Sequence, residues 1–292
     1  MATIYHYTSG AGICGILSKD RIWATSFLFR NDYSELTYGL TQFCKEILRI
    51  SRVQGREFDV LPEALAHRLQ TPLVNAAHPF SVSFCKHADE RLDRNGLLSQ
   101  WRAYGADGGY AIGFDEDSLI ERSCDYAKGF MNNEKTSTVG WYIPDNCSYD
   151  AYEAPEDVEK NDEILDFIHS LLTTDIEKRD DINENRFDLL KEATRVALFF
   201  KHQDFFEERE FRIAYGLLKR NVHADLDFIE NRGSIFPHIN LFGEAGISDL
   251  VRRIVIGPHI DAERRARSLE LLLRCRGLNG IDVSISDTPL RK

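Results

Sequence analysis

Residues 205–216 read FFEEREFRIAYG, and the two-residue period from Glu208 to Tyr215 fits a β-strand and not a helix. Side chains two apart share a strand face, so Glu208, Glu210 and Arg212 project together while Arg209, Phe211 and Ile213 project oppositely. Two carboxylates and a guanidinium on one face fit an ordinary core poorly. That face is either solvated and cross-paired or the wall of a pocket in which the arginine lowers the cost of burying the acids.

The rest of the chain alternates strands with helices. Thr3–Thr8 reads as a strand, Ala11–Ser18 as a short helix and Arg21–Ser26 as a second strand. FLFRND is a loop before a helix over Tyr33–Ile50. FSVSFC after Pro79 is a strand, LLSQWRAYG a short helix stopped by Gly105, and GGYAIGFD a strand ending at Asp115, a residue suited to capping a helix. STVGWYI is a strand. An apolar helical face carries Ile164, Phe167, Ile168 and Leu171, and the spacing of Phe187, Leu190, Ala193, Ala197 and Phe200 predicts a helix over Arg186–Lys201. RRIVIGPHI, a helix over Ala262–Cys275 behind Asp261, and IDVSISDTPL complete the order. No repeat or low-complexity tract interrupts it. The expectation is a single α+β domain spanning 1–292, with a helical insertion at about 155–202. The first strand lacks the glycine-rich turn of a dinucleotide fold.

Composition narrows the function classes. At 43% hydrophobic over 292 residues the chain can bury a large core, and a formal charge of −11 disfavours a broad anionic-partner surface while leaving a local basic channel open. Six cysteines without a C-x-x-C pair read as buried thiols of a reducing compartment. With no basic leader followed by an apolar run and no membrane-length apolar stretch, the expectation is a soluble cytoplasmic protein without a membrane partner.

Three stretches carry candidate chemistry. Glu208, Glu210 and Arg212 form the first. His6 is the second: it shares a strand face with Ile4 and Thr8, opposite Tyr5 and Tyr7, and suits either a structural hydrogen bond or a ligand contact. Trp101, Arg102 and Tyr104, beside glycines 105, 108 and 109, are the third, offering flat rings and a cation for a nucleotide or simple core packing. Cys85, His87 and Asp89 alternate, but three mixed ligands without a fourth make a weak metal set, and no metal is expected. Hydrolase-elbow and zinc-protease motifs are missing.

Taken together, YHYTS…GIL…IWAT…RND.SE, FSVSFC…LLSQWRAYG…GGYAIGFD, F.EEREFRI, IVIGP and VSISDTPLR resemble the bacterial family catalogued as domain of unknown function 2971, over residues 4–291. The same order is similar to the ADP-ribosyltransferase superfamily, especially its His-Tyr-Glu branch. That resemblance implies a split mixed β-sheet core with flanking helices, and NAD as substrate. His6 would hold a ribose of NAD and point into the cleft, with Tyr5 and Tyr7 supporting the strand from behind. Tyr104 would stack on nicotinamide, with Tyr110 a second choice, and Glu210 would be catalytic. Glu208 would orient the acceptor. Arg30 or Arg212 would meet the pyrophosphate, and Tyr7, Thr8 and Trp101 complete the cofactor-contacting set. Tyr7 departs from the pattern, standing where the polymerases have glycine. The implied activity is ADP-ribosyl transfer to a nucleic acid or protein, in a toxin or phage-defence setting or in metabolism. Two other readings stand beside it: an inactive binding or interaction module on the same fold, and a transferase that moves another group to RNA.

Overall fold

The computed structural model describes residues 2–29, 33–105, 108–131, 139–150, 184–218, 226–231, 233–242 and 245–289, with 152, 153, 166, 169 and 172 between them. Its elements run β1 (Thr3–Thr8), α1 (Gly10–Lys19), β2 (Ile22–Ser26), α2 (Tyr33–Val53), α3 (Pro62–Ala76), β3 (Ala77–Lys86), α4 (Glu90–Asn95), α5 (Leu98–Tyr104), β4 (Tyr110–Asp115), α6 (Glu116–Met131), β5 (Val139–Asn146), α7 (Glu184–Phe199), β6 (Glu210–Leu218), β7 (Asp227–Asn231), β8 (Ser234–Leu241), β9 (Val251–Ile256), α8 (Ala262–Cys275) and β10 (Asp282–Ile285).

Local chemistry sets several boundaries. The Ser9 hydroxyl accepts from Gly12 N–H and starts α1, while Asp115 Oδ1 accepts from Ser118 N–H and starts α6. Gly105 stops α5 by donating to Trp101 O. Pro79 lies inside β3 rather than before it; it faces Gly216 of β6, while β2 pairs with β3 only at Phe80 and Ser81, so the missing N–H disturbs no second ladder. The strand expected from Glu208 begins at Glu210, because Arg209 is left-handed (φ 41°) and closes a 3₁₀ turn over Gln203–Glu208.

Among the described residues ten strands form one mixed sheet in an α+β architecture, parallel at β9–β10 and antiparallel at the other strand pairs. Its decisive feature lies along one edge of β3. β1 pairs there only at Lys86 and Cys85, β2 only at Ser81 and Phe80, and β6 runs the full length of the other edge. The sheet therefore parts between β1 and β2, opposite Val82–Phe84.

The faces are unequally covered. On one, Ile4, Phe84, Ile213 and Ile254 join side chains of α1, α6 and α8 in the main core. On the other, α2, α3 and α7 pack over Trp141 and Ala214, while Tyr5, Tyr7 and Trp101 form a separate small cluster. The space between those two clusters is where the candidate site lies. Most of the expected helical insertion, including Ile164, Phe167, Ile168 and Leu171, is outside the described residues. The thiols are not uniformly buried: Cys14 and Cys275 are exposed and Cys124 is half-buried, each on a helix, whereas Cys44 on α2 is packed in the core. No helix among the described residues is long and apolar enough to cross a membrane.

Candidate functional site

Cross-strand register decides which side chains meet. Tyr5 faces Cys85, Cys85 faces Glu210, and Ser83 faces Arg212, so these five share one sheet face. They border a cavity of about 470 Å³ closed by Trp23 and Thr25 of β2, by Gln100 and Tyr104 of α5, and by Ile229 and Phe236 of the β7–β8 hairpin. That volume is within the roughly 300–1,000 Å³ of small-molecule sites. The walls are aromatic and the floor is ionic.

Glu210 and Arg212 are almost fully buried, at 4% and 1% exposure. Glu210 Oε1 accepts from Arg212 Nε at 2.5 Å, and Oε2 accepts from Arg212 Nη2 and Lys201 Nζ, both at 2.8 Å. Lys201 Nζ also donates to Glu208 Oε2 (2.6 Å) and lies 3.1 Å from Glu35 Oε1. Arg212 closes the network by donating to Glu35 Oε2 (2.7 Å) and to Leu198 O. Three carboxylates and two cations leave one net negative charge facing the cavity.

The network holds the Lys201 charge firmly. Burial works against the Lys201 ammonium, yet Glu210 and Glu35 outweigh it and hold its pKa above the usual lysine value. Burial raises the Glu208 carboxyl despite the pull of Lys201, and it raises the Cys85 thiol on the cavity wall, with Glu210 and Glu208 adding to the effect. Glu210 is fixed by its backbone too, donating its N–H to Tyr149 Oη at 3.0 Å and accepting from Cys147 N–H at 2.7 Å.

The sequence-derived candidates distribute unevenly. His6, Tyr7, Tyr104, Glu208, Glu210 and Arg212 all border the cavity. His6 does so where the sheet parts, and its Nδ1–H donates to Ser83 O at 3.0 Å, which leaves Nε2 as the acceptor nitrogen. Tyr5 and Tyr7 do not stand behind the cleft; pairing with Cys85 puts their side of β1 on the cavity face. Glu208 arrives from the 3₁₀ turn, not from strand alternation.

Trp101 is corrected from a stacking surface to a core residue. It is 1% exposed, donates its indole N–H to Asn95 O and packs edge-on against Tyr7. Thr8 is not among the cavity's lining residues; its hydroxyl lies over Gly12, where a Cβ would come within 1.9 Å. Tyr110 packs against the main core. Arg30 lies outside the described residues. His87 is no metal ligand here: its ring stacks on Tyr5 at 3.9 Å, accepts from Tyr7 Oη at 2.9 Å, and puts Nδ1 3.2 Å from Asp93 Oδ1 without hydrogen-bond geometry.

Sequence reasoning missed Glu35, Lys201, Trp23 and the hairpin residues Ile229 and Phe236. Glu35 stands in the RND.SE motif, which was a signal without a role. Lys201 gave no sign beyond ending a helical stretch.

Comparison with known proteins adds one finding. Residues 100–213 match a family described as "Protein of unknown function (DUF2971)". The matched span carries Tyr104, Lys201, Glu208, Glu210 and Arg212 and stops short of His6 and Glu35. No curated protein and no solved structure matches the chain.

Proposed function

We propose that the protein is an NAD-dependent ADP-ribosyltransferase acting at the cavity where the sheet parts. The observation that carries the reading is the meeting of His6 from β1, Tyr104 from α5 and Glu210 from β6 around one hollow, three side chains far apart in sequence that the resemblance assigns to one reaction. Tyr104, 55% exposed, offers its ring to a nicotinamide. In the reaction the glycosidic bond breaks with its electron pair leaving on nicotinamide, and positive charge develops on the ribose. The net negative floor favours that charge, and Glu210 is the group nearest in kind to stabilise it. Glu208, at the rim on the 3₁₀ turn, is placed to orient an acceptor.

One observation favours a second reading. Both Glu210 oxygens already accept from Arg212 or Lys201, as in a site that binds a ligand without turning it over. Incubation with labelled NAD and separate RNA, DNA and protein pools, reading nicotinamide release and label transfer, tests both. The expected outcome is release by the wild type, a loss of 100-fold or more in Glu210→Gln, and a raised KM in Tyr104→Ala. Binding of NAD without release in the wild type would establish the binding module instead, and unchanged release in both variants would remove this site from the reaction.

A further inference from the structure

One stretch of this acidic chain is locally net positive. Residues 252–276 carry seven arginines and no lysine against three acids, a local charge of +4 that leaves the rest of the chain at −15. Arg264, Arg267, Leu271 and Arg274 recur along α8 at the spacing of one helical face. All four are exposed, Arg264 and Arg274 with 82% and 69% of their side chains accessible and Leu271 at 59%. The opposite face, with Ala262, Leu269 and Leu273, is buried in the main core.

Helix stability accounts for Arg274, which stands in the last turn and pairs with Glu270 four residues earlier, but not for the start of the helix. Arg264 and Arg265 stand in the first turn of α8, where the helix macrodipole favours acids over cations. Local pairing absorbs little: Arg264 meets Asp261 at 3.0 Å and Arg274 meets Glu270 at 3.7 Å, both exposed contacts of small value. Arg265 instead donates to Gly108 O, tying the start of α8 to the loop that follows Tyr104. Arg102, also exposed, is on the last turn of α5 beside that loop.

We propose that the outer face of α8 binds the phosphate backbone of a single-stranded nucleic acid. Guanidinium forks match phosphate oxygens in pairs, exposed Leu271 gives an apolar contact between them, and the half-exposed ring of Tyr104 supplies a stacking platform next to the tethered loop. A strongly acidic remainder of the molecule repels a polyanion elsewhere and confines it to this face. The inference shares the Tyr104 ring with the NAD reading but not its chemistry, which here rests on the arginines; a chain that binds RNA and never releases nicotinamide would sink only the NAD reading.

The test is fluorescence anisotropy of the full chain with labelled 20-nucleotide single-stranded RNA and DNA of one mixed sequence, from 50 to 200 mM NaCl. Binding that weakens steeply with salt is expected. The triple variant Arg264→Gln/Arg267→Gln/Arg274→Gln should lose at least tenfold in affinity at 50 mM NaCl and reduce the slope of log K against log salt by about two, at roughly 0.7 per phosphate on single strands. The charge-matched control Arg49→Gln/Arg52→Gln/Arg56→Gln on α2 and just beyond it should bind like wild type, and circular dichroism melting checks that both variants fold. Equal weakening by both triples, no binding of either oligonucleotide at 50 mM NaCl, or tighter binding of phosphatidylserine vesicles or poly-glutamate than of the oligonucleotides would overturn the proposal.

Discussion

Arg212 is a buried guanidinium whose pKa stands well above its usual value, held there against desolvation by the neighbouring Cys147, Glu210 and Glu35 groups. Removing one partner of such a set strands the others, a cost of about 3–5 kcal/mol. Arg212→Met should lower urea-unfolding stability by that amount, and adding Glu210→Leu should recover much of it; no recovery would mean that packing, not uncompensated charge, sets the cost. His87 makes a separate prediction. Burial pushes its imidazole down to about 4, with Asp93 pulling back, and its side chain has no accessible surface. Between pH 6.5 and 4 the unfolded chain therefore binds more protons than the folded one, so stability falls as pH falls through that window. The His87 share is about 2–3 kcal/mol, and His87→Gln should flatten the pH dependence of the urea midpoint by that much. A pH profile unaltered by the variant would show that the imidazole keeps its ordinary proton affinity. None of this was legible from the sequence: the alternation of Cys85, His87 and Asp89 suggested at most a metal set, whereas what lowers the imidazole is the stacked Tyr5 and the surrounding cluster, set by strand pairing.

At the scale of elements, the site is assembled by helix packing as much as by the sheet. α2 supplies Glu35 from its first turn, and α7 leads directly into Lys201. The two helices touch backbone to backbone at Gly39, where a Cβ would lie 2.6 Å from Ala197 Cα and 2.8 Å from Val196 O. Neither obstacle is a flexible side-chain end. Gly39→Val should therefore force the helices apart, costing about 1–3 kcal/mol and loosening the Glu35–Lys201 contact; a urea midpoint equal to wild type would show that the helices slide without loss. Both helices were readable from their apolar spacing to within a few residues. Their contact was not, because an isolated glycine inside a helical pattern does not announce which partner approaches it. α3 and the β7–β8 hairpin were overlooked. The hairpin's edge position leaves Phe228 and Ile235 exposed while Ile229 and Phe236 turn inward, so no clean alternation marks it.

For the whole molecule, the cavity exists because two halves of one sheet separate along β3, and a ligand filling that gap would bind the folded state alone. A non-hydrolysable NAD analogue at 100 times its Kd should add about 2.7 kcal/mol of stability, read as a rise in melting temperature that Tyr104→Ala diminishes; no rise at millimolar analogue would argue against NAD while leaving the arginine face of α8 untouched. The amino-acid sequence by itself determined the α+β order, most strand and helix positions, and the presence on β6 of charges that an ordinary core does not hold, because backbone periodicity, caps and turn residues act over a few positions. Tertiary structure alone decided that Tyr5 and Tyr7 face the cavity, that Trp101 is core, that Arg209 breaks the strand before Glu210, and that Glu35 and Lys201 complete the ionic floor. Those outcomes depend on register and packing between segments up to 177 residues apart, and a one-residue difference in pairing exchanges the two faces of a strand.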